Sequence, residues 1–143
     1  MAAAAVARMG PYNGFGSGGY RFELINVVRY YGTPDRNGFL HTTSASAVID
    51  ADVRAAVEQA LAPSRVVWVD DASAVIGNGP MLPTSREVGA VLTIAAPDID
   101  GSSARITTGM WCGGTCGTGG RFVLRKTDGA WSVTGTEGAS WIS

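Results

Sequence analysis

The chain has 143 residues, 45% of them hydrophobic, with 12 acidic and 11 basic side chains and a net charge of −1. This length favours one domain, and the apolar fraction can fill a core, so a wholly disordered protein is excluded. The balanced charge argues against a nucleic-acid or anionic-membrane partner, and no run approaches the ~18 consecutive apolar residues of a membrane span.

Residues 1–19 are predicted to form a flexible arm that is rich in glycine towards its end. Residues 1–8 lack the basic region of a secretory signal, so they are interpreted as a frayed terminus or a cloning remnant. The glycines lack the Gly-Lys-Ser/Thr ending of a phosphate-binding loop. Localisation stays open: we expect a cytoplasmic protein if Met1 is the native start, and an exported one if a signal was removed.

Residues 20–31 carry apolar side chains at the i, i+3, i+4, i+7 spacing of a helix, although their alternation and β-branched content also fit a strand. The length of 12 residues, followed by Gly32 and Pro34, favours a helix. A short strand is predicted at residues 39–43, after a turn.

The clearest predicted helix covers residues 50–62. Apolar residues recur there at every fourth position: Ile49, Val53, Val57 and Leu61. Asp50 can cap the start of the helix and Pro63 ends it.

Residues 65–70 are apolar on both faces of a strand, which predicts an interior strand of the sheet. Residues 72–87 contain two glycines and two prolines and are predicted to be a long loop. Loops of this length are often lids or binding loops, with disorder or a plain surface excursion as the alternative.

From residue 88 the chain is predicted to form consecutive antiparallel strands, at 88–96, 104–112, 121–126 and 131–135. The last two flank Asp128 and Gly129, and an Asp-Gly pair between alternating strands is a strong hairpin signal. A two-residue turn there places Lys126 opposite Trp131, Leu124 opposite Val133 and Phe122 opposite Gly135. The predicted core face consists of Phe122, Leu124, Trp131 and Val133.

The order of elements predicts one α+β domain over residues 20–143, with a curved antiparallel sheet wrapping N-terminal helices. Residues 120–133 resemble the closing hairpin of the NTF2-like (cystatin-like, SnoaL-type) superfamily. Residues 111–120 are similar to a connection in uncharacterised small bacterial proteins. The resemblance implies a cone that holds a small apolar ligand, and a homodimer. Its members include isomerases, dehydratases, epoxide hydrolases and non-catalytic binders.

The two cysteines, Cys112 and Cys116, are separated by three residues, two of them glycine. A small disulfide-closed loop and two free thiols are both compatible with this spacing. A zinc site would need about four ligands, and the chain offers only these two and a distant His41. We therefore expect no metal and no other cofactor.

Three titratable residues near strands are weak catalytic candidates: His41, Asp70 and Asp71. His41 has the only free pKa near neutrality, and adjacent carboxylates can raise one another's pKa. The alternatives are a surface histidine, and aspartates that begin a turn by accepting backbone N–H bonds. Aromatic residues suited to the wall of an apolar pocket, or to core packing, are Tyr31, Trp68, Trp111 and Trp131.

Two functions follow from these observations. The first is a non-catalytic NTF2-like module that binds a small apolar molecule or a partner subunit. The alternative is an isomerase, dehydratase or epoxide-hydrolase-like enzyme with Asp or His acid–base chemistry in the cone. The first is favoured, because no Asp, His or Tyr falls on the predicted strands 104–112, 121–126 or 131–135, where the resemblance implies catalytic groups.

Overall fold

A mixed β-sheet with helices packed against it dominates the computed structural model, which describes residues 1–10, 22–43, 45–77, 88–114 and 116–142. The described helices are α1 (Ala2–Met9), α2 (Ala51–Leu61) and α3 (Ser73–Ile76). The described strands are β1 (Leu24–Val28), β2 (Thr33–Pro34), β3 (Leu40–His41), β4 (Arg65–Val69), β5 (Ala90–Ile94), β6 (Asp98–Asp100), β7 (Ser103–Gly113), β8 (Cys116–Thr127) and β9 (Ala130–Ile142).

The seven described strands of the large sheet run in the order β4-β1-β5-β7-β8-β9, with β6 also pairing with β7. β1 pairs in parallel with β4 and β5, whereas all pairings from β5 through β7 and β8 to β9 are antiparallel. The predicted α+β class is confirmed, but the expectation of a wholly antiparallel sheet is wrong. The chain from β1 to β4 includes α2, and a crossover of that length allows parallel pairing. The sheet does not close into a barrel.

The helix predicted at residues 20–31 is wrong, because its centre forms β1. Ile25, Val27 and Val28 are at most 2% exposed. A strand between two parallel neighbours is covered on both faces, so it is apolar at consecutive positions and can match helical spacing by chance. The buried Asn26 amide is satisfied because its Nδ2 donates to the carbonyls of Val88 (2.7 Å) and Ala90 (3.3 Å).

Residues 65–70 form the predicted strand, β4, but it lies at one end of the described sheet instead of in its interior. Its apolar side chains are half-buried, and α2 packs beside it. Trp68 Nε1 donates to Glu58 Oε1 of α2 at 2.6 Å, and the Arg54 guanidinium lies 5.9 Å from the Trp68 ring. The apolar side chains of β4 are therefore covered by α2, and not by a further described strand.

Helix α2 confirms the predicted helix at residues 50–62. Ile49, Val57 and Leu61 are buried, and Val53 packs against the core. Asp50 precedes the helix as predicted, but its side chain makes no capping hydrogen bond.

The first residues of the chain are not frayed, because residues 2–9 form α1. Ala4 and Ala5 are fully buried and belong to the same core as Val57 of α2 and Phe122 of β8. Small side chains let a helix approach its neighbours closely, which is how an alanine-rich segment becomes a core element. The Gly-rich part of the predicted arm falls on residues 11–21, outside the described residues, as do residues 78–87 of the predicted long loop.

The predicted hairpin is confirmed: β8 and β9 are joined by Asp128 (φ 52°) and Gly129 (φ 83°). Lys126 lies opposite Trp131, and Leu124 opposite Val133, as predicted. Phe122 pairs with Thr136 instead of Gly135, because the register shifts between Val123 and Leu124.

The predicted core face of this hairpin is also confirmed. Phe122 and Leu124 are fully buried, and Trp131 and Val133 are partly buried against the same core. β5 and β7 confirm the strands predicted at residues 88–96 and 104–112, and β3 confirms the one at 39–43.

On the opposite face of the sheet, Trp141 of β9 packs against the hairpin formed by β2 and β3. Its ring stacks on Phe39 with centroids 4.6 Å apart, and its Nε1 donates to the Gly38 carbonyl at 3.3 Å. Trp141 lies against Gly119 of β8 and reaches Gly109 of β7, where larger side chains would occupy its place. Among the described residues, no helix is long and apolar enough to cross a membrane.

Candidate functional site

A cavity of about 440 Å³ lies between the start of α1, the middle of α2 and strands β6 to β9. This volume is within the range of small-molecule sites, roughly 300–1,000 Å³. The sheet contributes Ala104 and Ile106 of β7, Leu124 of β8 and Trp131 of β9. Apart from Tyr31, the described side chains on its wall are apolar or aromatic, so the site suits a molecule with mainly apolar surface.

Small side chains at facing positions leave this space open. Ala2 and Ala3 of α1 and Ala56 of α2 line the helical side of the cavity, opposite Ala104 of the sheet. The interior of a protein is normally close-packed, and a void lined by apolar groups offers water few hydrogen-bond partners. The alanine positions therefore make a space that an apolar ligand can fill better than water can.

Tyr31 supplies the one titratable side chain among the described residues of the wall. Burial raises the pKa of its phenol, and the nearby Asp50 carboxylate raises it further. The hydroxyl therefore stays protonated at neutral pH and can donate or accept one hydrogen bond. The site combines a wall of mainly apolar side chains with the Tyr31 hydroxyl, which can orient a ligand.

Two of the four predicted ligand-binding residues, Tyr31 and Trp131, meet on the wall of this cavity. Trp68 instead packs beside α2, and Trp111 is half-buried on β7 in register with Val91. Val53 and the small wall residues were not predicted from the sequence as ligand-binding residues, and of these only Val53 lay on a predicted core-facing position.

The three catalytic candidates are exposed and lie away from the described wall of the cavity. His41 Nε2 is 3.3 Å from Asp35 Oδ2, and Asp70 Oδ1 is 2.9 Å from Arg29 Nε. The two adjacent carboxylates therefore have separate partners, Arg29 for Asp70 and Ser73 for Asp71.

Asp71 accepts hydrogen bonds from the backbone N–H of Ser73 (3.0 Å) and from its hydroxyl (2.7 Å). These bonds lower the pKa of Asp71, since they stabilise its ionised form. This is the turn-initiating arrangement that was the alternative to a catalytic base.

Cys112 and Cys116 have their sulfurs at disulfide-bonding distance, with Cα atoms 4.9 Å apart. Of the two arrangements left open by the sequence, the structure favours the bridge. It joins the end of β7 to the start of β8, and neither residue is on the described wall of the cavity. Within the described ranges, no three His, Cys, Asp or Glu side chains lie close enough to hold a metal ion together.

Comparisons of the chain with protein-family models, with curated proteins and with solved structures found no match. The function must therefore be argued from the geometry of the molecule.

Proposed function

We propose that this protein binds a small, mainly apolar molecule carrying one hydrogen-bonding group in the 440 Å³ cavity. The observation that carries the proposal is the cavity itself, bounded by Tyr31, Trp131 and aliphatic side chains of α2, β7 and β8. The resemblance of residues 120–133 to the closing hairpin of NTF2-like proteins points the same way, because that superfamily includes binders of small apolar ligands.

A binding role is preferred to an enzymatic one because of the side chains that line the described wall. General acid–base catalysis needs a group whose pKa lies near the working pH. The pKa of Tyr31 is raised from a value that is already well above neutrality, so its hydroxyl stays protonated and acts as a hydrogen-bonding group, not as an acid or base. His41, Asp70 and Asp71 are exposed and partnered elsewhere.

The expected affinity is modest. A ligand that buries about 200 Å² of apolar surface gains roughly 5 kcal/mol at ~25 cal/mol/Å². Before the costs of association this gain corresponds to a Kd of about 0.2 mM, so a small aromatic molecule should bind with a Kd on the order of 1 mM or weaker.

The test uses the neutral fluorescent probe N-phenyl-1-naphthylamine and a matched pair of substitutions on α2. Ala55 and Ala56 are both exposed to solvent, but only Ala56 lines the cavity. We expect saturable binding to the unmodified protein, at least tenfold weaker binding to Ala56→Phe and unchanged binding to Ala55→Phe. Absence of saturable binding, or equal effects of both substitutions, would show that this cavity is not the site.

A further inference from the structure

One lysine lies beside the apolar cavity, on the face of the sheet that bounds it. Successive side chains of a strand point to opposite faces of the sheet. Leu124 lines the cavity, so Lys126, two residues further along β8, is on the same face. Lys126 lies opposite Trp131 of β9, which also lines the cavity. The Lys126 Nζ is 5.9 Å from the centroid of the Trp131 ring, so the ammonium group lies at the rim of the site.

The other charged side chains of strands β6 to β9 are on the opposite face of the sheet. Ile99 of β6 lines the cavity, so the carboxylates on either side of it point away from the site. The same alternation applies along β7 and β8, where Ala104 and Leu124 line the cavity and their charged neighbours do not. The side chains on the opposite face are Asp98, Asp100, Arg105, Arg121, Arg125 and Glu137. The sheet therefore presents one positive charge and no negative charge on the side of the cavity.

The ammonium group of Lys126 is open to a ligand. Lys126 is exposed, and it takes part in none of the ion pairs formed within the described part of the chain. An ammonium group has three N–H donors, and its contact with the Trp131 ring face leaves donors for an oxygen ligand. A molecule whose apolar part fills the cavity can therefore place an anionic group against Lys126.

Negative charge lies on the helical side of the cavity instead. Asp50 and Asp52 are at the start of α2, and the Asp50 carboxylate is near enough to raise the pKa of the Tyr31 phenol. Like charges repel, so an anionic group is disfavoured beside Tyr31 and favoured beside Trp131. One ammonium group balances one negative charge, which favours a carboxylate over a doubly charged phosphate.

We propose that the ligand of the apolar cavity is an amphiphilic carboxylate, whose apolar part fills the cavity and whose carboxylate pairs with Lys126 beside Trp131. This inference rests on the proposed function, since it requires that the cavity bind an apolar molecule. It adds the chemical class of the ligand and the side of the cavity at which its charged group lies.

The experiment measures how octanoate and 1-octanol displace N-phenyl-1-naphthylamine from the protein. The two competitors share a chain length and differ in charge, so the ratio of their inhibition constants isolates the contribution of the carboxylate. The variant is Lys126→Gln, and Lys126→Arg restores the charge. The matched control is Arg125→Gln, which removes the same charge from the adjacent exposed residue on the opposite face.

We expect Lys126→Gln to weaken octanoate by about threefold to fivefold, as for a partly exposed ion pair, and to leave octanol and the neutral probe unchanged. Lys126→Arg and Arg125→Gln should leave the ratio within about twofold of that of the unmodified protein. The inference is overturned if Lys126→Gln leaves the ratio unchanged, or if Arg125→Gln alters it equally, while the probe still binds. Failure of the probe itself to bind saturably would overturn the proposed function, and this inference with it.

Discussion

Gly119 is the position where one added carbon atom should have the largest local effect. Its backbone is not in the left-handed region, so alanine is conformationally acceptable there. A Cβ atom, however, would overlap the indole of Trp141, including Cζ2 at 2.7 Å. Gly119→Ala should therefore displace Trp141 from its stack on Phe39 and from the Gly38 carbonyl.

The size of the effect follows from these contacts. The lost hydrogen bond costs about 1 kcal/mol and the lost aromatic stack about 0.5–1.5 kcal/mol. Replacing glycine stabilises an extended segment by about 0.5–1 kcal/mol, which offsets part of the loss. We expect a net destabilisation of about 0.5–2 kcal/mol. With an unfolding entropy of about 0.3 kcal/mol/K for a chain of this length, Tm should fall by roughly 2–7 °C.

Gly135→Ala is the matched control on the neighbouring strand. A Cβ atom at Gly135 would meet nothing within 4 Å, and its φ is also outside the left-handed region. In Gly135→Ala, Tm should rise by roughly 2–3 °C, because the substitution stabilises the extended segment and displaces no neighbouring side chain. Differential scanning calorimetry measures both values, and the ¹H–¹⁵N indole signal of Trp141 reports its displacement. Equal Tm changes in the two variants, with that signal unmoved, would refute the reasoning.

Three further predictions concern the disulfide, a turn and the core. Reducing the disulfide, which closes a five-residue loop, should lower the free energy of unfolding by about 2 kcal/mol; an unchanged urea midpoint in dithiothreitol would contradict this. Ser73→Ala should raise the pKa of Asp71 towards its ordinary value, because one hydrogen bond to the carboxylate is lost, as ¹³C NMR titration would show. Since the folded pKa of Asp71 is lowered, its contribution to stability is present above its ordinary pKa of 3.8 and is lost as the pH falls through the folded value; Ser73→Ala should weaken that acid dependence. Leu124→Ala should cost about 2–5 kcal/mol in urea denaturation, because Leu124 is fully buried; a loss below about 1 kcal/mol would mean that the core is loosely packed there.

The sequence predicted best where local chemistry decides the structure. The turn at Asp128 and Gly129 requires positive φ, and the four-residue repeat that includes Val57 identified α2. It failed at β1 and at the position of β4, because both depend on which strands lie alongside, and local spacing carries no such information. The NTF2-like relationship and the homodimer stay predictions.

The candidate site was only half predictable for the same reason. Tyr31 and Trp131 could be chosen as pocket residues from their aromatic character alone. Ala2, Ala56 and Ala104 line the cavity, and their small side chains leave its space empty. These three residues come together only in the folded chain. Arg8 is buried because it lies on α1, where the sequence predicted a flexible arm and not a helix.

Ligand binding in the apolar cavity can be tested directly by an NMR titration of methyl-labelled protein with a small neutral aromatic compound such as indole. We expect intermolecular NOEs and saturable shifts at the methyl groups of Val53, Ile106 and Leu124, with those of Val67 and Val123 unchanged. Shifts spread evenly over both sets of methyl groups, or no NOE to the cavity residues at saturation, would contradict this expectation.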